Sequence, residues 1–184
     1  MPTTASQPRV ERAAPRDRRS PSVYADRPNR PVFVGGCPRS GTTMLRLMLN
    51  SHPDLAVPHE TRFLIPIWDR RATFGDLSNP KNRRRIARWI AARPKARLYR
   101  LGVKRDELIS VLEAAPPTLG SVLGAPFALY AERQGKARWG DKRPSHVQQL
   151  HAIFAMFPDA QFVNVVRDPR ATVTSVRKIG WYDG

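Results

Sequence analysis

One segment of the chain combines glycine, hydroxyl and cationic residues in an order that could bind phosphate. Residues 36–43 read Gly-Cys-Pro-Arg-Ser-Gly-Thr-Thr, and they stand between a short apolar run and a helical pattern. Two glycines at this separation let the backbone turn back on itself. Its N–H groups and the positive end of the next helix can then face an anion. The segment predicts a phosphate-binding loop, and the alternative is a glycine-rich turn without a ligand.

The same loop departs from the nucleoside-triphosphate pattern at one position. In such loops a lysine follows the second glycine and reaches the β- and γ-phosphates, but here that position is Thr42. Arg39 supplies a cation in the middle of the loop instead. The loop therefore favours an activated anion other than a triphosphate. A planar guanidinium with several donors suits that task, although a surface or salt-bridged arginine is the alternative.

Four further polar residues stand in loops or at the ends of apolar strands. Glu60 follows a short apolar run, Lys142 follows Asp141, and Arg167 comes directly after the strongest strand pattern, with Ser175 eight residues later. Taken alone, Glu60 could be an exposed loop carboxylate, and Lys142 could belong to a surface ion pair with Asp141. Open α/β sheets bind ligands at the carboxyl ends of their strands, so we expect Arg167 and Ser175 to lie at that edge.

The segments at the two ends of this pattern resemble a known enzyme family. Residues 31–45 (PVFVGGCPRSGTTML) resemble the 5′-phosphosulfate-binding loop of sulfotransferases that use 3′-phosphoadenylyl sulfate (PAPS). Residues 162–171 (FVNVVRDPRA), together with Ser175, resemble the 3′-phosphate-binding motif of the same enzymes. The resemblance covers roughly residues 31–184. It implies transfer of a sulfuryl group from PAPS to a hydroxyl or phenol acceptor, with no metal.

The middle of the chain narrows the resemblance to one branch of the family. Residues 51–53 (Ser-His-Pro) and 59–62 (His-Glu-Thr-Arg) are similar to the tyrosylprotein sulfotransferases and their bacterial relatives. This implies that Glu60 is the general base for the acceptor, with His59 as the alternative base. It also implies that Lys142 stabilises the bridging oxygen that leaves with the nucleotide. Arg62 could pair with Glu60, or it could contact the acceptor, in which case the acceptor could be acidic.

The resemblance also implies which residues bind the nucleotide. Arg39 would lie along the sulfonate and the bridging oxygen, and Arg167 and Ser175 would hold the 3′-phosphate through charge-assisted hydrogen bonds. We interpret Arg170 as structural or peripheral and Cys37 as a small buried residue. The residues expected on the 5′-phosphate, with their backbone amides, are Ser40, Gly41, Thr42 and Thr43.

Strand and helix patterns alternate along the chain and would position these residues. Strands are expected at residues 32–34, 55–57, 138–140 and 161–166. Helices are expected at residues 41–50, from Pro80, at 106–114 and 119–133, from a capping box at Ser145, and after an Asp168 cap. The alternation predicts an α/β fold: a P-loop-like three-layer sandwich with a parallel sheet flanked by helices. In the first helix, the apolar residues that crowd one broad face are Met44, Leu45, Leu47, Met48 and Leu49.

The charge balance of the chain points to anionic partners. It has 32 Lys and Arg against 15 Asp and Glu, a formal net charge of +17. Residues 81–105 hold eleven of these cations and no carboxylate. A positive field of this kind attracts anions of many classes. We interpret this segment as a solvated basic helix, with capture of an acidic substrate as the alternative and nucleic acid as the least favoured one.

Composition also indicates how the chain is divided into a leader and a domain. Residues 1–30 are rich in Pro, Arg and Ser and predict a disordered basic leader, whereas residues 31–184 form the sulfotransferase-like domain. Because the family continues after the 3′-phosphate helix, we expect this domain to be partial. A single cysteine excludes an internal disulfide and favours the cytoplasm, and no apolar stretch predicts a membrane span. The alternative functions are a P-loop nucleotide kinase or NTPase, and a non-catalytic basic protein that binds nucleotides or nucleic acid.

Overall fold

A four-stranded sheet forms the centre of the fold. The computed structural model describes residues 30–178, so nearly all of the expected leader lies outside the described residues. The strands are β1 (Val32–Gly36), β2 (Leu55–Ala56), β3 (Arg138–Lys142) and β4 (Gln161–Val165), in the spatial order β2-β3-β1-β4. All three strand pairings are parallel. The predicted α/β class with a parallel sheet is confirmed.

The register of the sheet brings the functional loops to one edge. Val34 in the central strand β1 lies opposite Lys142 of β3, and Gly36 lies opposite Val165 of β4. Both β1 and β3 therefore end beside the loop that follows Gly36. Every residue of β1 is buried, as an apolar strand between two parallel neighbours requires.

Eight α-helices connect and cover the strands within residues 30–178. They are α1 (Thr42–Asn50), α2 (Leu64–Asp69), α3 (Arg71–Phe74), α4 (Pro80–Ala91), α5 (Arg105–Ala114), α6 (Leu119–Arg133), α7 (Leu150–Met156) and α8 (Pro169–Arg177). Short 3₁₀ turns occur at Pro94–Ala96, Leu98–Leu101 and Pro144–Gln148. The sequence patterns did not predict α2 and α3. The predicted caps at Asn79 and Asp168 are confirmed, because each side chain accepts a backbone N–H of its own helix.

Part of the basic segment holds α4 against α5. Arg83 is buried and donates from Nε to the Glu113 carbonyl oxygen at 3.1 Å, while Arg84 Nε lies 2.5 Å from the Glu113 carboxylate. A buried guanidinium needs such acceptors, because removing its charge from water without partners is costly. This part of the segment is therefore structural rather than simply solvated.

The first helix does not bury its apolar face. Met44, Leu47 and Met48 are 55–70% exposed, whereas Thr42 and Arg46 are buried. Arg46 reaches the core because its Nη1 donates to the Val57 carbonyl oxygen at 3.2 Å. Arg46 therefore lies on the face of α1 that packs against the protein, and the apolar residues Met44, Leu47 and Met48 lie on the exposed face.

Two smaller sequence interpretations are wrong. Ser145 does not cap an α-helix, because Pro144 begins a 3₁₀ turn without a side-chain cap and α7 begins only at Leu150. Cys37 is exposed rather than buried, because it lies in the loop after β1, beyond the last buried strand residue.

Candidate functional site

The loop between β1 and α1, residues 37–41, has the backbone geometry of an anion-binding turn. Gly36 and Gly41 have φ values of 144° and 103°, which L side chains rarely adopt. A Cβ on Gly36 would also clash with the Val165 carbonyl oxygen of the neighbouring strand. The α1 N-terminus that follows has no side-chain cap and no acidic residue in its first turn. Its N–H groups are therefore left for an anion.

Ser40 supplies a second sign that this loop can bind an anion. The residue is only 7% exposed, and its Oγ has no hydrogen-bond partner among the described residues. A buried hydroxyl without a partner costs free energy, so such groups in folded proteins are normally satisfied. Together with the uncapped helix N-terminus, Ser40 Oγ fits a phosphate oxygen in this loop.

Three residues with predicted nucleotide roles meet beside the loop. Arg39 donates from Nε to Ser175 Oγ at 3.1 Å, and Arg167 donates from Nη1 to the Arg39 carbonyl oxygen at 3.0 Å. Asp168 begins α8 as its cap, which directs that helix so that Ser175 returns to the carboxyl edge of the sheet. These contacts bring Arg39, Arg167 and Ser175 together beside the loop, and the role of each residue stays a prediction.

Arg170 lies apart from this group. Its guanidinium pairs with Asp168 at 2.9 Å, and the arginine side chain is 91% exposed. This agrees with the interpretation of Arg170 as structural or peripheral.

Lys142 joins the predicted base to the start of α1. Its Nζ donates to Glu60 Oε1 at 2.7 Å and lies 3.4 Å from Thr43 Oγ1. The lysine side chain is 7% exposed, so the pair is largely removed from solvent. The interpretation of Lys142 as half of a surface pair with Asp141 is wrong. Successive strand residues point to opposite faces of the sheet, and Asp141 binds His146 on the other face.

Glu60 is surrounded by positive charge. Besides Lys142, its Oε2 lies 3.7 Å from Arg97 and 3.9 Å from Arg62. Burial is the largest single influence on this carboxyl and raises its pKa. The hydrogen bond and charge of Lys142, with the charges of Arg62 and Arg97, outweigh burial and hold the pKa of Glu60 below its ordinary value. Glu60 is therefore ionised at neutral pH, with a cation at each oxygen.

His59, the alternative base, has a different environment. Desolvation of the ring is the main cause that lowers the pKa of His59, and the charges of Arg46, Arg100 and Lys142 lower it further. The imidazole is therefore neutral at neutral pH and able to accept a proton. Within residues 30–178 the His59 side chain forms no hydrogen bond, whereas Glu60 accepts one from Lys142.

Sequence reasoning missed two contributors to this region. Arg97 contacts Glu60, but in the sequence it is only one of many cations between residues 81 and 105. His146 forms a buried pair with Asp141, with Nε2 and Oδ2 2.9 Å apart. The only signal for that pair is an acidic residue and a histidine five positions apart after a short strand.

Within residues 30–178, no group of three or more His, Cys, Asp or Glu side chains could hold a metal ion. Within the same residues, no helix is long and apolar enough to cross a membrane.

Comparison with known proteins gives a consistent family. A family model described as "Sulfotransferase family" matches residues 31–182. Protein-tyrosine sulfotransferase 1 of Homo sapiens is 30% identical over 145 residues, which cover 79% of this chain and 33% of the human protein. The Drosophila melanogaster protein-tyrosine sulfotransferase is 29% identical over 146 residues, covering 79% of this chain and 24% of that protein.

A bacterial relative and a solved structure extend the comparison. Nodulation protein NoeE of Sinorhizobium fredii is 26% identical over 147 residues, covering 79% of this chain and 30% of NoeE. The crystal structure of a sulfotransferase from Mycobacterium tuberculosis matches with a TM-score of 0.36 and 20% identity, over 77% of this chain and 46% of that one. The chain spans about a quarter to a third of the length of the curated relatives it matches.

Proposed function

Because this chain belongs to the sulfotransferase family, we propose that it takes part in transfer of a sulfuryl group from PAPS to a hydroxyl or phenol acceptor. The observation that carries the proposal is the position of Lys142. Its Nζ reaches both Glu60 and Thr43, so it links a carboxylate able to accept a proton with the helix end able to bind an anion. A site for group transfer between two substrates needs both functions side by side.

The β1–α1 loop and the α8 region would bind the nucleotide. The loop amides, the Ser40 hydroxyl and the start of α1 fit the 5′-phosphate, since they combine an unpaired buried donor with an uncapped helix N-terminus. Arg167 and Ser175 lie against the same loop through Arg39, where they would hold the 3′-phosphate. PAPS supplies the activated sulfuryl group when bound.

The remaining residues would act on the acceptor and on the leaving oxygen. Glu60 accepts the proton that the acceptor hydroxyl loses as its oxygen bonds to sulfur. Lys142 and Arg39 stabilise the negative charge that collects on the bridging oxygen as its bond to sulfur breaks. Lys142 changes partner in this scheme, because in the present structure it is held by Glu60.

Calorimetric titration with adenosine 3′,5′-bisphosphate (PAP) tests the proposal without knowledge of the acceptor. We expect one saturable site per chain, and we expect Ser40→Ala and Lys142→Met to weaken binding. Lys178→Met, at the exposed end of α8, is the matched control for loss of one charge. Absence of PAP binding by the folded chain would refute the proposed function.

A further inference from the structure

Two side chains of α1 bind both backbone groups of a single residue beyond β2. Asn50 Oδ1 accepts the Val57 N–H at 2.9 Å, and Arg46 Nη1 donates to the Val57 carbonyl oxygen at 3.2 Å. The strand β2 ends at Ala56, and Val57 is fully buried. Buried backbone groups need hydrogen-bond partners. Helix side chains therefore supply these partners at the point where the strand has ended.

The two side chains share one face of α1 with Thr43. Positions 43, 46 and 50 are separated by three and then four residues, and residues with this spacing lie on the same side of an α-helix. Thr43 stands in the first turn, where its Oγ1 lies 3.4 Å from Lys142 Nζ. The same face therefore begins at the candidate anion site and ends at the chain beyond β2.

Val57 lies three residues before the candidate base, Glu60. The next residue, Pro58, is buried, and its ring fixes the backbone φ. On the other side of Glu60, the Arg62 N–H donates to the Ala96 carbonyl oxygen at 3.0 Å. The short segment that carries Glu60 is therefore held at both ends, and α1 holds the end nearer to β2.

The burial of Arg46 is not explained by stability alone. The residue is 5% exposed and its Nε has no hydrogen-bond partner within residues 30–178. No carboxylate oxygen of the same residues lies within 4.0 Å of its guanidinium. A buried cation without a counterion costs free energy, and apolar replacements of buried charges are often as stable. What the buried charge does maintain is the position of the Val57 carbonyl group.

We propose that Arg46 and Asn50 are positioning residues: they hold Val57 against α1 and so set the place of Glu60 beside Lys142. Their role in sulfuryl transfer rests on the proposed function, whereas the positioning of the Glu60 carboxylate does not. Since the N-terminus of α1 would bind the nucleotide, one helix would then fix both the sulfuryl donor and the base.

The first experiment follows the Glu60 carboxyl by ¹³C NMR during a pH titration, with its signal assigned by its loss in Glu60→Gln. Burial raises the pKa of Glu60, but the cations around it outweigh burial and hold the pKa below its ordinary value. Asn50→Ala changes no charge. It should raise the pKa of Glu60, because a displaced carboxylate loses part of its contact with these cations.

The matched control for this titration is Asn79→Ala. Like Asn50, Asn79 accepts a backbone N–H through its side chain, but it lies at the exposed N-terminus of α4. The variant should leave the pKa of Glu60 unchanged. The same shift in Asn79→Ala as in Asn50→Ala would assign the effect to a general loss of structure and overturn the positioning.

The second experiment measures sulfuryl transfer from PAPS to 4-methylphenol as a phenol probe. Asn50→Ala should lower kcat by about 10–100-fold with little change in the KM for PAPS or in PAP affinity, because a misplacement of about 1 Å can cost about 100-fold in rate. Asn50→Asp keeps an oxygen that can accept the Val57 N–H, and it should keep most of the rate. Asn79→Ala should transfer at the wild-type rate.

A double-mutant cycle separates action through Glu60 from action elsewhere. In Glu60→Gln, the further change Asn50→Ala should lower kcat no more, because no base is left to position. Arg46→Met should lower kcat as Asn50→Ala does, and it serves as the second variant if Asn50→Ala does not fold. Additive losses of kcat in the double variant would overturn the proposed action through Glu60.

The remaining outcomes separate this proposal from the proposed function. An unchanged pKa of Glu60 in Asn50→Ala would overturn the positioning, and a raised pKa with unchanged kcat would overturn its role in transfer. If the wild-type chain binds no PAP, the proposed function fails. If the chain binds PAP but transfers nothing to the phenol, the role in transfer fails. In both cases the pKa of Glu60 still decides the positioning.

Discussion

Lys142 and Glu60 form a largely buried ion pair, with Nζ 2.7 Å from Oε1, although 82 residues separate them in the chain. In this arrangement Glu60 and Lys142 bind each other, whereas the proposed reaction needs both groups to be free for the substrates. Glu60 can take a proton from an acceptor only when an oxygen is free, and Lys142 can stabilise a leaving oxygen only when it turns from Glu60. Substrate binding must therefore exchange these contacts before the chemical step.

The first prediction concerns Glu60 as the general base. In Glu60→Gln, we expect the rate of sulfuryl transfer from PAPS to fall by about 10²–10⁴-fold, the usual contribution of a general base. PAP affinity measured by calorimetry should stay nearly unchanged, because within residues 30–178 no hydrogen bond or ion pair joins Glu60 to the β1–α1 loop. His59→Gln is the matched control. Full activity of Glu60→Gln with loss in His59→Gln would move the role to His59.

The second prediction concerns stability and pH. The folded state holds the pKa of Glu60 below its ordinary 4.5, so the ionised carboxylate stabilises the fold above that pH. This stabilisation is lost as the pH falls through the lower, folded-state pKa. At pH 7 we expect Glu60→Gln to lower the free energy of unfolding by about 1–2 kcal/mol, since Lys142 loses its carboxylate.

Denaturant unfolding of both proteins at pH 7 and at pH 3 checks this prediction. The difference in unfolding free energy between wild type and Glu60→Gln should shrink on acidification. A difference that grows as the pH falls would contradict the assigned direction of the pKa shift.

The third prediction concerns the 3′-phosphate. PAP should bind at least about tenfold more tightly than adenosine 5′-phosphate, since hydrogen bonds to charged groups contribute about 1.5–3 kcal/mol. Arg167→Ala should remove most of this preference while changing binding of adenosine 5′-phosphate little. Arg177→Ala, exposed in the last turn of α8, is the control. Equal affinity of the unmutated protein for both nucleotides would rule out the assignment.

The fourth prediction concerns the backbone of the β1–α1 loop. Gly36→Ala should lower the free energy of unfolding by at least about 2 kcal/mol, because its Cβ would meet the Val165 carbonyl oxygen. Gly41 also has a positive φ, but no atom lies within 4 Å of a Cβ there. Gly41→Ala should therefore cost less, which thermal unfolding of the two variants can measure. Equal losses would assign the effect to backbone strain alone.

The fifth prediction concerns metal ions. Thr42 stands where nucleoside-triphosphate loops carry lysine, and PAP binding should therefore persist in EDTA. Calorimetric titrations with and without the chelator make the comparison. Loss of PAP binding on chelation, with recovery on adding magnesium, would favour the nucleotide kinase or NTPase alternative.

The elements of the fold were predictable where the local pattern decides the conformation. The apolar run at residues 32–34 becomes the buried strand β1, and the Asp168-Pro169 pair begins α8 as its cap. Both outcomes depend on a few neighbouring residues, such as a capping side chain or the fixed φ of proline. The placement of Arg167 and Ser175 beside the β1–α1 loop follows from the parallel order of the strands.

The contacts within the candidate site depend on distant residues and were less predictable. The apolar residues of α1 suggested a buried face, but Arg46 takes that position through a backbone carbonyl that the sequence does not reveal. The environment of Lys142 required knowing which face of β3 it occupies relative to Asp141. Hydrophobic periodicity reports burial of apolar atoms and carries no information on where a buried cation finds its acceptors.

Arg39 has a left-handed backbone, with φ 70°, in a loop whose other residue with a positive φ is Gly41. For a residue with a Cβ, that conformation costs about 1–2 kcal/mol. Asparagine accepts it more readily, so Arg39→Asn is a substitution that directed evolution for thermal stability alone would tend to select. Selection of this kind would favour variants that are more stable but lack the guanidinium beside Ser175. Stability engineering of this chain should therefore keep Arg39 fixed and look elsewhere for gains.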